Sequence, residues 1–497
     1  MARVTETPGA RPPEDRTIHK VPDPFPLTLA GMLAALGPQA INFGISIGGG
    51  EAYLLPNVSA RGTLQMHWLM TISVVLETAL VYECIKYSIC TGRSFFAATN
   101  ELKPYGFWPW FWAVVTILTF AWPAWMGGAV VAAHRFTGIG NPPILGLPPH
   151  YIWAVVALLA VLIVFYFSNR TYNFLSKFFI VIMFANIVLV LVVTLIAAKP
   201  QHYWQVLLGY LGISFLLEGY PATLPKTDAL ALFNQPGGSL MWVSFWVIGA
   251  GFGMGKYAGQ VTGVLRPPEH ITAQELHWDT SDPEERRKMD QWVKVGGYSL
   301  ILWWAIIGGL IMTYLYSVSG LAYLHEDFLK TGKIPTGVQV PIQMATIAQG
   351  VMGPMAGWLM LLFIMVTLYD AQFPFYDTFI GRTTCDAIAV TTDWEERRPY
   401  RFYYFVVVTA AVVAGFYLIT VAQPFILWIG VAISALVYRS IGAWQILLLN
   451  NRRLPEGFKV SKLNTWLLWI TVVTGFGGVG TWAVTVLPGE IAKRFGG

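Results

Sequence analysis

Apolar runs about 20 residues long recur along most of the chain, and a helix of that length crosses the hydrocarbon core of a bilayer. Eleven such runs are present, at roughly 27–60, 65–90, 107–133, 150–168, 174–197, 226–251, 292–318, 345–370, 402–421, 423–448 and 464–487. A further apolar piece at 203–219, "YWQVLLGYLGISFLLEG", is short and interrupted by glycine, and reads as a re-entrant or surface segment. The polar stretches between runs are short, with two exceptions. Residues 1–26 are polar and rich in proline, which predicts a disordered N-terminal tail. Residues 266–294 mix charges of both signs and read as a solvated helical linker. The pattern predicts an all-α polytopic membrane protein.

Charge sets its orientation. With the N-terminus in the cytoplasm, 24 of the 32 Lys and Arg residues fall on the inner side and 8 outside. Basic residues concentrate on the cytoplasmic side of membrane proteins, so this bias supports eleven spans with the N-terminus inside and the C-terminus outside, in the plasma membrane. Composition agrees: 55% of residues are hydrophobic and 12% charged, against roughly 25% charged in a soluble domain. The net charge of +5 follows from the topology and calls for no nucleic-acid partner. Three cysteines, Cys84, Cys90 and Cys385, suggest no disulfide framework. No zinc spacing, phosphate-binding loop, nucleophile motif or cofactor fingerprint occurs, so neither an enzyme nor an ATP-driven pump is expected, and no resident cofactor.

Two spans break their own pattern. Span one carries Gly48-Gly49-Gly50 followed directly by Glu51, and span six carries Asn234-Gln235-Pro236-Gly237-Gly238-Ser239. Proline removes a donor and clashes with the preceding turn, and each glycine costs a helix about 1 kcal/mol relative to alanine. Irregular backbone inside a bilayer is tolerated where it is buried in protein or lines a wet cavity. Five spans separate the two breaks, so span six runs opposite to span one. Paired breaks of this kind point to an inverted-repeat transporter with its substrate site between them. The expected units are a tail at 1–26, a first repeat at 27–200 (spans one to five), a second at 201–450 (spans six to ten, with a cytoplasmic loop at 252–291), and 451–497 carrying span eleven.

Several stretches resemble one family. "LGPQAINFGISIGGGEAYLLP" is similar to the first span of the Nramp metal-ion transporter superfamily, in particular its divergent Nramp-related branch. "HWLMTISVVLETALVYECIKYSICTGRSFF" resembles that family's second span, "NQPGGSLMWVSFWVIGAGFGMG" the divergent branch's sixth, and "NRRLP" a motif after the tenth. The resemblance covers about 30–460. It implies the LeuT-like fold: two inverted five-helix repeats, broken helices one and six, and here an eleventh helix. The chain departs from the main family at both motifs. Gly48, Gly49, Gly50 and Glu51 stand where that family has D-P-G-N, and Asn234, Gln235 and Pro236 where it has M-P-H. The metal-binding Asp and the Met thioether are both missing. A thioether favours transition metals, so the resemblance implies a harder, hydrated ion of the Mg²⁺ type held by few oxygen ligands.

The candidate substrate or metal-binding residues are therefore Gly48, Gly49, Gly50, Glu51, Asn234, Gln235 and Ser239. Glu51 would sit in the first turn of a half-helix, where the helix dipole stabilises a carboxylate. Candidate coupling or gating residues are Glu77, near the middle of span two, together with Asp370, Gln372, Asp377 and Arg382 around the end of span eight. Acids inside a bilayer are costly and face the protein interior or a cavity. Glu77 is open to two readings, proton coupling or pairing with another helix. Glu83, three residues before Lys86, suggests an ion pair along one helix, and Asp377 with Arg382 an anchoring or gating pair. The expected function is secondary-active transport of a divalent cation by alternating access, coupled to H⁺ or Na⁺. Two alternatives are a symporter of a small organic solute such as an amino acid, and a non-transporting membrane sensor or scaffold.

Overall fold

The computed structural model describes residues 17–48, 51–120, 126–139, 147–213, 216, 226–237, 240–333, 339–421, 424–486 and 488. The apolar runs fold as helices. Five of those described are long and apolar enough to cross a membrane: Leu64–Thr91, Thr171–Ala197, Pro283–Thr331, Tyr400–Leu418 and Lys462–Thr485. Other spans are assembled from pieces. Span one consists of Leu29–Ala34, Leu36–Gly48 and Glu51–Ala60. Span three consists of Phe107–Phe120 and Gly127–Thr137, and span four is Tyr151–Phe167. Span six consists of Lys226–Phe233 and Val243–Gly249, and span ten is Pro424–Arg453.

The two halves of the chain pack as symmetry mates. The first half of span one lies against the second half of span six, and Glu51–Ala60 lies against Lys226–Phe233. Span two packs on span seven, three on eight, and four on nine, while span eleven covers span ten. This is the arrangement of two inverted five-helix repeats plus one added helix. Glycines let the helices approach closely, as is usual in membranes. A Cβ on Gly320 of span seven would lie 2.2 Å from Pro56 Cα in span one.

Span eight differs from the sequence reading. Residues 345–370 do not form it. Gly353, at φ +85°, separates an outer helix, Gln339–Met352, from Pro354–Tyr369. The span then continues through Gln372–Pro374, the π-type turns Phe375–Arg382 and Thr383–Thr391. Pro374 does not end it: the helix opens for one turn at Asp370–Ala371, where the clash with the i−4 carbonyl falls, and resumes at Gln372. Asp370 therefore moves from the end of a span to its middle, twelve residues or about 18 Å below the exposed Trp358.

Three other segments also differ. Pro200–Tyr210, in the short apolar piece, is a helix resting on spans two and seven; Thr71 Oγ1 and Tyr314 Oη donate to the carbonyls of Tyr210 and Tyr203 at 2.9 and 2.8 Å. The linker helix is continuous with span seven over the 49 residues Pro283–Thr331, and its middle, Leu300–Met312, is wound in π-type turns. Residues 17–26, expected to be disordered, form a strap across the linker. Ile18–His19 pairs in parallel with His277–Trp278, Val21 is buried, and its amide donates to Glu285. Trp292 Nε1 donates to the Pro22 carbonyl at 2.8 Å, and Lys288 pairs with Asp23 at 2.8 Å. These partners lie more than 250 residues away, so no local pattern announces them.

Candidate functional site

Both breaks fall where the sequence places them. In span one the helix Leu36–Gly48 stops at Gly48 and a new helix begins at Glu51. Gly49, Gly50 and Ser239 lie outside the described residues. In span six the helix ends at Phe233, and Asn234 and Gln235 turn away from it, both buried. Gly237 has φ +26° and approaches the preceding turn so closely that a Cβ would sit 2.7 Å from the Asn234 carbonyl oxygen. Leu240 follows with φ +34°, a left-handed conformation that costs a side-chain-bearing residue about 1–2 kcal/mol. The break is held open by its surroundings at the expense of local strain.

Asp370 packs against the first half-helix of span one, one turn before its end at Gly48. A Cβ on Gly44 would lie 3.2 Å from Asp370 Oδ2, so Gly44 makes room for the carboxylate. Asp370 is 1% exposed; among the described residues no side chain hydrogen-bonds either of its oxygens, and the amides of Asp370 and Ala371 are the polar groups beside them. Two residues on, buried Gln372 leaves both amide atoms unpartnered. On span seven the buried Tyr316 hydroxyl is likewise unpartnered and lies within electrostatic reach of both Glu51 and Asp370. Glu51 is 2% exposed at the start of its half-helix. Asn234 Oδ1 is a further unpartnered acceptor at the second break. Buried polar atoms normally have partners, so the Asp370 carboxylate and the Tyr316 hydroxyl, which lie within electrostatic reach of one another near Glu51, mark a place suited to something polar. Its donor set is hard oxygen. Among the described residues no three His, Cys, Asp or Glu side chains converge as a ready-made metal cluster. An ion here would therefore keep part of its water shell or draw on amide and backbone oxygens.

Glu77 takes the second of its two readings. Its Oε1 accepts from Arg439 Nη1 at 2.7 Å and from Ser73 Oγ at 3.2 Å, and both charged side chains are fully buried. Arg439 also donates to the Phe233 carbonyl at 3.4 Å and stacks over that ring at 4.9 Å. It thus ties spans two and ten to the last residue before the span-six break. Arg439 is one of the 24 basic residues counted on the inner side, although it falls within the apolar run 423–448; in the structure it is mid-helix in Pro424–Arg453 and does not belong in that count. Glu83 and Lys86 pair along span two at 2.7 Å, as the spacing predicts, with Asn450 and Asn464 also donating to Glu83.

Asp377 and Arg382 do not pair with each other. Asp377 accepts from Tyr404 Oη at 2.6 Å and Thr378 Oγ1 at 2.7 Å. Arg382 donates to the Phe245 carbonyl at 3.2 Å and stacks on that ring at 4.7 Å. Five residues apart on π-type turns, the two groups lie within electrostatic reach of each other, but each is spent on its own hydrogen-bond partners. Trp246 and Trp242 donate to Thr378 and Thr383 at 3.0 and 3.1 Å, so the lower part of span eight is fastened to the second half of span six. Asp386 is buried and accepts from Ser94 and from Tyr400 Oη.

No family model matches the sequence, and no curated protein does. Solved structures do. The Eremococcus coleocola manganese transporter, in complex with an aromatic bis-isothiourea substituted compound, superposes with a TM-score of 0.62 at 12% identity, covering 93% of this chain and 89% of that one. A histidine-to-alanine variant of the same transporter gives 0.63 at 13% identity over 96% and 91%. Mhp1, a nucleobase-cation-symport-1 family transporter, in a closed conformation with bromovinylhydantoin bound, gives 0.50 at 13% identity over 93% of each chain. At 12–13% identity the likeness is one of fold. This chain is a multi-pass membrane protein with the LeuT fold, broken at spans one and six.

Proposed function

We propose that the protein is a secondary-active transporter of a divalent cation of the Mg²⁺ or Mn²⁺ class, in the divergent Nramp-related branch, and that it works by alternating access. The observation that carries this reading is Asp370: a buried carboxylate at mid-depth with no side-chain partner among the described residues, packed against Gly44 of span one and sharing the Tyr316 hydroxyl's surroundings with Glu51. Two carboxylates, the Gln372 and Asn234 amides and backbone carbonyls freed at the breaks suit a hard cation that keeps several waters. The fold shared with a manganese transporter and the sequence resemblance support the same class. Glu77 is engaged by Arg439, which leaves Asp370 as the candidate for coupling to H⁺ or Na⁺. The basic face, which carries the strap and the linker, is taken as cytoplasmic.

A second reading is a symporter of a small organic solute. The unpartnered amide atoms of Gln372 could pair with such a solute, and Mhp1, crystallised with bromovinylhydantoin, shares the fold. One experiment separates the two. Proteoliposomes loaded with a divalent-sensing dye should take up Mg²⁺ or Mn²⁺ with wild-type protein and lose that uptake with Asp370→Asn or Glu51→Gln. Wild-type uptake no greater than in empty vesicles for Mg²⁺, Mn²⁺ and Ca²⁺ would discard the cation reading.

A further inference from the structure

A groove lies well away from the breaks, between the end of span four, the linker and span nine. It encloses about 770 Å³ and is lined at one end by Arg398 and Arg401, and along its length by Tyr166, Phe402, Phe405 and Val413. Tyr166 Oη and Thr409 Oγ1 meet across it at 2.7 Å, and the Tyr166 and Phe405 rings stack at 4.5 Å, so its floor is fixed. Its two ends differ in chemistry. Arg398 is exposed, stacks over Phe402 at 5.7 Å and has no acid within ion-pair distance among the described residues. Arg401 spends Nη1 on the carbonyls of Gly263 and Arg266 and holds the linker in place. From Phe402 onward the outward-facing residues are apolar: Phe402, Val406 and Val413 are 46, 52 and 58% exposed.

The arginines sit where span nine begins, beside the polar turn 393–399 and the Trp394–Tyr403 ring pair, a residue mix typical of the membrane–water boundary. The apolar length then descends into the hydrocarbon region. A positive mouth at headgroup level above an apolar channel matches one molecule with a negative head and an acyl tail.

We propose that this groove binds an anionic phospholipid of the leaflet on the basic face, with its phosphate at Arg398 and Arg401 and one acyl chain along Phe402, Val406 and Val413. Basic pockets between transmembrane helices recognise anionic headgroups by this charge complementarity. A soluble phosphate would use the arginines but not the apolar wall.

The test is native mass spectrometry of the delipidated full-length protein in detergent, with added dioleoylphosphatidylglycerol or dioleoylphosphatidylcholine. Wild type should retain the anionic lipid about fivefold more than the neutral one, and Arg398→Gln should remove most of that preference. Ala410→Trp, an exposed groove residue, should lower retention of both lipids by filling the apolar length while leaving the thermal midpoint unchanged. Equal retention of the two lipids by wild type overturns the proposal, as does retention unaffected by either variant. Displacement by excess inorganic phosphate, with Ala410→Trp inert, would assign the arginines to a soluble anion and also overturn it.

Discussion

Arg439 and Glu77 illustrate how much one buried contact can decide. Removing one partner strands the other charge in a low-dielectric interior, and such losses cost about 3–5 kcal/mol. Arg439→Leu should therefore lower the thermal midpoint in detergent steeply. The double change with Glu77→Leu should recover most of the loss, because the paired hydrophobic replacement leaves no stranded charge. A double variant no more stable than the single would mean that the contact to Phe233 matters more than the pair. Asp370 predicts the opposite outcome. No described side chain pairs with it, so Asp370→Asn, which removes a buried charge, should leave the midpoint unchanged or raise it. Divalent-cation affinity should then fall by at least about 10-fold, since even second-shell metal partners are worth about 10–100-fold. Isothermal titration of both forms measures this directly.

At the level of elements, close approach sets tolerance. Gly320→Ala would push a Cβ into the backbone of Pro56, and overpacking of this kind costs about 1–3 kcal/mol. Because the clash lies between span seven and the Glu51 half-helix, uptake should slow along with the loss of stability. Unaltered flux would show that the two helices separate during transport without passing through this contact. The breaks were legible in the sequence because glycine and proline have local effects on a helix. Span eight was not. Pro374 in "YDAQFPFYDTF" looks like a stop, but the fold opens a single turn at Asp370–Ala371 and carries the helix on. Asp370 was selected from sequence for its cost in a bilayer, yet its depth came from that continuation. Arg439 was legible from one signal, an arginine in the middle of the apolar run 423–448, where a charge needs a buried partner.

For the whole molecule, hydropathy and the inside excess of lysine and arginine gave the span count, and inversion followed from having five spans between the breaks. The strap was hidden because its stability comes from contacts between distant segments. Since Lys288–Asp23 is an exposed pair, raised ionic strength should loosen it. Trp292→Ala, which removes both a hydrogen bond and the Phe25 stacking, should loosen it more. Hydrogen exchange of residues 17–26 reports both effects, and exchange unchanged in Trp292→Ala would show that the β-pairing alone holds the strap.

The neutrality of the Glu77–Arg439 pair has an electrical consequence. A unit charge carried through a membrane potential of 100 mV changes in energy by about 2.3 kcal/mol. On the proposed transport cycle the pair would move with its helices at no such cost. Where Glu51 and Asp370 are ionised they would add negative charge to the field, which a divalent cation bound as proposed would offset. The loaded carrier would then cross with little sensitivity to voltage. The empty carrier would feel the full field on its return, and an inside-negative potential would drive its carboxylates back toward the outer face. Voltage would thus set the turnover rate through the empty step alone.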